Sequence, residues 1–201
     1  MSRSQRKAML DRRDVVAQIL KKRNGALVVA GLGAPSWDIT AAGDDPLNFP
    51  TWGAMGGAVM MGLGLALAQP ERRVLVITGD GEMLMGLGSL ATAGVQQPKN
   101  LAVVVCDNEH YGETGMQATH TRYGVDLAAI AAASGFSATG TVYTDSELKV
   151  WIPRLYREDG PLFVDVKVST AEAPLVLPPR DGSALKHRFR EALLGVEAAH
   201  K

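Results

Sequence analysis

Residues 74–115 read VLVITGDGEMLMGLGSLATAGVQQPKNLAVVVCDNEHYGETG. An apolar run ends in Gly79-Asp80-Gly81, about a helix's worth of small and apolar residues follows, and a second apolar run ends in Asp107-Asn108. Neither run alternates polar with apolar positions, as expected of strands covered on both faces. A helix through Met83, Leu84, Leu87 and Leu90 to about Gln96 would join them. Strand, helix and strand at this spacing form a βαβ unit with parallel strands, and each strand end delivers one oxygen-bearing side chain, Asp80 or Asn108.

Outward from this unit the alternation continues. Residues 11–22 place Val15, Val16, Ile19 and Leu20 on one helical face. A short strand at 26–30 runs into a glycine loop at 31–36, where Leu32-Gly33 is a lead to a ligand or simply a tight turn. A short helix at 37–42, turn material at 43–46 and an extended piece at 47–49 follow. Residues 53–68 read as one helix despite their glycines, each costing about 1 kcal/mol in a helix interior. Gly56, Gly57 and Gly64 would let a backbone, cofactor or subunit come close, or simply allow tight helix crossings. A helix at 126–134, a weak strand at 137–142, a helix at 145–157 interrupted by Pro153 and a strand at 162–168 complete the pattern. Residues from about 171 form an extended tail and then a last helix at 183–194. The expected fold is one doubly wound α/β domain over residues 1–201, with a mainly parallel sheet and helices on both faces.

Composition narrows the function. Lys+Arg and Asp+Glu are equal at 21 each, so no global charge selects nucleic acid or a membrane surface. The charged N-terminal stretch lacks the apolar core of an export signal, and residues 53–68 are shorter than the roughly 20 needed to span a bilayer. A single cysteine, Cys106, excludes an intramolecular disulfide and suits a reducing, cytoplasmic setting.

In an open parallel sheet, ligands gather beyond the carboxyl ends of the strands. A helix starting just after Gly81 offers free N–H groups to an anion, and Gly79 and Gly81 permit close approach. Asp80 and Asn108 are hard oxygen donors suited to Mg²⁺, which commonly takes one or two side-chain ligands together with phosphate oxygens and water. Taken alone, Gly-Asp-Gly reads as a turn.

The pair says more than either half. Gly-Asp-Gly after an apolar strand, with Asn 28 positions on from Asp80 after the next, resembles the cofactor motif of the thiamine-diphosphate-dependent enzymes. The text from Gly79 through Thr121 is similar to the small subunit, or second half, of sulfopyruvate and phosphonopyruvate decarboxylases, and a looser resemblance spans residues 11–195. It implies thiamine diphosphate and Mg²⁺ as cofactors, with Asp80, Asn108 and the carbonyl of His110 as metal ligands. Gly79, Gly81, Glu82, Tyr111 and Gly112 would line the diphosphate. Met55 would prop the cofactor into its bent form as the one catalytic side chain of this chain, and Gly53 would offer its carbonyl to the aminopyrimidine. The resemblance also implies an activating glutamate on a pyrimidine-binding domain. No second α/β domain that could carry it is expected from these residues, and Glu82, Glu109 and Glu113 belong to the diphosphate side. The expected assembly is therefore a hetero-oligomer of α2β2 type or larger, with a separate α subunit and a 2-oxo acid substrate.

His110, Glu113, His120 and Arg122 are candidates to face substrate, with an ordinary surface loop the plainer reading for the last two. Glu109, His110, Glu113 and Met116 depart from what the sulfopyruvate enzymes suggest, and Glu113 would oppose an acidic tail. Another 2-oxo acid, a carboligation or lyase reaction, and a non-catalytic nucleotide-binding or structural subunit stay open. The dinucleotide version lacks support, because Gly31-Leu32-Gly33 continues as Ala-Pro-Ser.

Overall fold

Leu27–Ala30, Val74–Gly79, Leu101–Asp107 and Leu162–Lys167 are strands buried along almost their whole length, which explains why their sequences show no alternation. The computed structural model describes residues 9–199. Its main sheet has six strands, β1 (Leu27–Ala30), β2 (Asn48–Pro50), β3 (Val74–Gly79), β4 (Leu101–Asp107), β7 (Ala138–Val142) and β8 (Leu162–Lys167). Their order is β2-β1-β3-β4-β8-β7, with every pairing parallel.

Successive strand residues point to opposite faces and feed two apolar cores. One face packs α1 (Arg12–Leu20), α2 (Ala34–Ala41) and α7 (Asp145–Arg157) against Val28, Leu75, Val104 and Val164. The other packs α3 (Ala58–Ala68), α4 (Asp80–Met85), α5 (Gly88–Gln96), α6 (Leu127–Ala133) and Phe189 of α8 (Gly182–Leu194) against Val29, Val76, Val103 and Phe163. A last turn, α9 (Val196–Ala199), packs on α8. The doubly wound α/β expectation holds. The chain leaves β1 toward β2 on one side and returns to β3 on the other, so the crevice where ligands bind in such sheets lies above β1 and β3.

Four local expectations change. The helix expected over 53–68 begins only at Ala58. Ala54 and Gly56 have φ of +57° and +86°, so Gly56 and Gly57 precede the helix. The helix after β3 is two helices broken at Gly86 and Leu87, and at Gly86 the backbone packs so closely on Gly56 that a Cβ would lie 2.2 Å from its carbonyl oxygen. Pro153 does not interrupt α7: it lies on the exposed face, where the carbonyl it leaves unbonded meets solvent. The second helix starts at Ala34, before Trp37, since Pro35 suits a first turn that needs no N–H. A small hairpin of β5 (His110–Tyr111) and β6 (Gln117–Ala118) also forms within what reads as loop. Among the described residues no helix is long and apolar enough to cross a membrane.

Candidate cofactor and metal site

Above the carboxyl ends of β1, β3 and β4 lies a cleft of about 460 Å³. Met55, Gly79, Asp80, Gly81, Glu82, Asn108, His110, Tyr111 and Gly112 all line it, so the fold brings together nearly every residue singled out from the sequence. Gly53 is not among the lining residues. Of the substrate-facing candidates, His110 and Glu113 line the cleft, while His120 and Arg122 lie in an adjoining helical turn and Arg122 pairs with Glu109 at 3.6 Å.

Parallel register explains the central pair. Gly79 is partnered with Cys106 across β3 and β4, so the residues that follow, Asp80 and Asp107-Asn108, emerge side by side. Asp80 is the first residue of α4 and is buried. Its Oδ2 accepts a 2.5 Å hydrogen bond from the Thr119 hydroxyl, while its other close donor is its own backbone N–H. Burial, reinforced by the charge of Asp107, pushes the Asp80 carboxyl up to about 7. The Asn108 side-chain oxygen accepts from His110 N at 2.9 Å, and the His110 ring nitrogen Nδ1 lies 2.8 Å from the Asn108 carbonyl.

Glu82 lines the cleft with its carboxylate turned to the protein. Its carboxylate is buried against protein donors: Leu32 N at 2.9 Å, the Thr78 hydroxyl at 2.9 Å and Ala58 N at 3.4 Å. It thus ties α4 to the loop after β1 and to the start of α3, and what it has to offer an anion is its backbone N–H. Gly31 makes room for it, since a Cβ there would lie 1.8 Å from the Glu82 carboxylate. Gly81 likewise makes room for the ring of Tyr111, 2.6 Å from where its Cβ would be, whereas Gly79 is open on that side.

Sequence reading missed a polar floor. Asp107 on β4 is registered opposite Lys167 on β8, and the two are ion-paired in the interior. Lys167 also reaches Asp165 at 3.2 Å. Burial works against the Lys167 charge, but Asp165 and Asp107 outweigh it and raise its pKa. Burial first, and Asp107 second, push Asp165 up to about 7. Thr121 donates to Asp107 at 2.9 Å and lies 2.9 Å from Thr119, linking this floor to Asp80. One signal for it was present: Asp165 and Lys167, two apart in an otherwise apolar strand, share a face. Arg12 is a second omission. It lines the cleft and is anchored through Nε to the buried Asp38.

The cleft suits a metal-bound diphosphate. The two helices whose N-termini line it, α2 and α4, have glycine N-caps and no side-chain cap, as is also true of α3, capped by Gly57, while α5 too lacks a side-chain cap. First-turn N–H groups without a side-chain acceptor suit an anion where they line a cleft. A buried carboxylate with one oxygen uncommitted to a neighbouring residue, an amide oxygen and nearby backbone carbonyls match the hard donor set of Mg²⁺. Among the described residues no group of three or more His, Cys, Asp or Glu is placed to hold a metal, so a cation here would need amide or backbone oxygens as well.

Residues 33–166 match the family described as thiamine pyrophosphate enzyme, C-terminal TPP binding domain. The chain is 37% identical over 187 residues to the sulfopyruvate decarboxylase subunit beta of Methanothermobacter thermautotrophicus, covering 93% of this chain and 97% of that one. It is 40% identical over 143 residues to the phosphonopyruvate decarboxylase of Streptomyces viridochromogenes, covering 71% of this chain and 36% of that protein. A solved structure, the thiamine diphosphate-dependent 4-hydroxybenzoylformate decarboxylase of Rhodococcus jostii RHA1, has the same fold, with a TM-score of 0.70 at 20% identity over 83% of this chain and 34% of that one.

Proposed function

Since this chain belongs to the thiamine pyrophosphate enzymes, and among them to the family of the sulfopyruvate decarboxylase beta subunits, we propose that it is the diphosphate-binding subunit of a thiamine-diphosphate-dependent 2-oxo acid decarboxylase. The observation that carries this is the end-to-end match to a protein that is itself a subunit, with the diphosphate-side residues gathered in one cleft. The same match supports a separate α subunit as partner.

Thiamine diphosphate, when bound, supplies the carbon that adds to the 2-oxo group and accepts the electron pair released with CO₂. The residues of this chain hold it for that task. Asp80, Asn108 and the His110 carbonyl would bind Mg²⁺, and the uncapped N-termini of α2 and α4 would meet the diphosphate. Met55, at the cleft wall and held by the turn at residues 53–57, would support the bent cofactor and keep water from it. Glu82 fixes the walls that carry these groups. The activating glutamate would come from the pyrimidine-domain subunit. On α3, Met60, Gly64 and Leu67 share one exposed stripe of small and apolar character, which supports burial against another chain in an assembly of α2β2 type or larger. The buried Cys106 thiol, its pKa raised by burial, suits the reducing cytoplasm.

The test is reconstitution. Co-expressed with a pyrimidine-domain subunit, this chain should release CO₂ from a 2-oxo acid in a manner dependent on thiamine diphosphate and Mg²⁺. An equal rate from the chain purified alone would overturn the two-subunit reading.

A further inference from the structure

We propose that Thr119 is a positioning residue for the metal site, holding Asp80 and the Asn108–His110 segment in fixed relation; this rests on the metal assignment just given. Thr119 follows β6 and is fully buried. Its side chain and its backbone serve the two ligand-bearing segments separately. The hydroxyl donates to Asp80 Oδ2 at 2.5 Å, and the backbone N–H donates to the carbonyl of Glu109, between Asn108 and His110, at 2.9 Å. One residue therefore spans the end of β3 and the turn after β4.

The consequence for a cation is geometric. With Oδ2 engaged by a hydroxyl, the carboxylate is steered toward presenting Oδ1 to a cation as a single oxygen. Mg²⁺ demands near-ideal octahedral geometry and is intolerant of a carboxylate that swings or turns bidentate. Behind the hydroxyl lies Thr121, 2.9 Å away, which donates to Asp107 at 2.9 Å, and Asp107 is ion-paired with Lys167. Glu109 has a φ of +63°, unusual for a residue with a side chain, so the turn that Thr119 clamps is not one the backbone favours unaided. Hydrogen-bond partners of metal ligands generally contribute about 10–100-fold to metal affinity.

The experiment is calorimetric titration of Mg²⁺ into the reconstituted two-subunit complex at saturating thiamine diphosphate, with circular dichroism as a check of folding. Thr119→Ala should weaken Mg²⁺ binding by about tenfold or more, and Thr119→Ser, which restores the hydroxyl, should bring it back to near the parent value. A change of less than about fivefold in Thr119→Ala, or no recovery in Thr119→Ser, overturns the proposal while Asp80→Ala still abolishes binding. Unchanged binding in Asp80→Ala instead refutes the metal assignment itself. If Thr119→Ala does not fold, Thr119→Val decides: it keeps the shape of the buried side chain without its hydroxyl, and Mg²⁺ affinity about tenfold or more below that of the parent supports the proposal while parental affinity overturns it.

Discussion

The carboxylate of Glu82 accepts the backbone N–H of Leu32 at 2.9 Å, joining the first turn of α4 to the loop after β1 across 50 residues of sequence. Its second oxygen takes the N–H of Ala58 at the start of α3, so one side chain braces three walls of the cleft. Glu82→Ala would strand these N–H groups and the Thr78 hydroxyl. At about 1–3 kcal/mol for each buried group left unsatisfied, partly relieved by water entering, the expected loss is about 3 kcal/mol, with Glu82→Gln costing about 1 kcal/mol. Urea denaturation measures both, and a loss below about 0.5 kcal/mol for the alanine variant would show that the brace is dispensable.

Glycines in this chain separate by what stands beside them. At Gly86 a Cβ would lie 2.2 Å from the carbonyl oxygen of Gly56, backbone against backbone, so Gly86→Ala should destabilise by about 2 kcal/mol or more and displace the turn that carries Met55. Gly64, inside α3, has open space where its Cβ would go. Gly64→Ala should therefore stabilise the isolated chain by about 0.5–1 kcal/mol. The same variant should weaken assembly with a second subunit if that stripe of α3 is buried there. Thermal melts of the single chain and sedimentation of the complex read the two effects apart.

Stability of the metal-free chain should fall as pH rises, through Asp165. Burial and then the Asp107 charge push its carboxyl up to about 7, and Oδ1 is buried with no hydrogen-bond partner among the described residues. A carboxyl raised on folding binds more protons in the folded state, so its contribution is complete below the unfolded value of about 4 and is lost as pH climbs to about 7. Asp165→Asn should flatten that slope and be the more stable protein at pH 8. Urea midpoints between pH 5 and 8 test this, and parallel slopes for the two proteins would contradict it.

Metal binding should follow pH in the opposite sense. Burial, with the charge of Asp107 behind it, raises the Asp80 carboxyl to about 7. Below that pH a cation must displace a proton from it, so apparent Mg²⁺ affinity should drop by up to about tenfold per unit below pH 7 and level off above it. Titrations at pH 6, 7 and 8 in the presence of thiamine diphosphate would show the trend, and a flat profile would place the Asp80 carboxyl lower.

Much of the site was legible because it depends on strand ends. Val74–Gly79 and Leu101–Asp107 are continuous apolar runs that can only be covered strands, and parallel strands joined by a helix put their following residues together. Asp80 and Asn108 therefore meet for reasons a linear text contains. The break at Gly86 was not legible, and neither was the need for glycine there, which comes from the carbonyl of Gly56, 30 residues earlier. Nor was the start of α3, set by left-handed residues 54 and 56 and by Glu82 reaching Ala58. Glu82 was expected at the diphosphate from the family resemblance and does line the cleft, but only the packed structure shows its carboxylate facing inward to protein donors.

By itself, then, the sequence determined the α/β alternation, the parallel central strands and the two oxygen donors at their ends, all properties of hydrophobic period and local turn chemistry. Tertiary structure decided which polar groups act as partners. Asp107 meets Lys167 through strand register, Thr119 meets Asp80 because the β5–β6 hairpin folds back over α4, and Arg12 enters the cleft because Asp38 holds it there. Such pairings span 26 to 60 residues and leave no periodic trace, because a hydrogen bond needs only two groups in the right place and imposes no pattern on the chain between them.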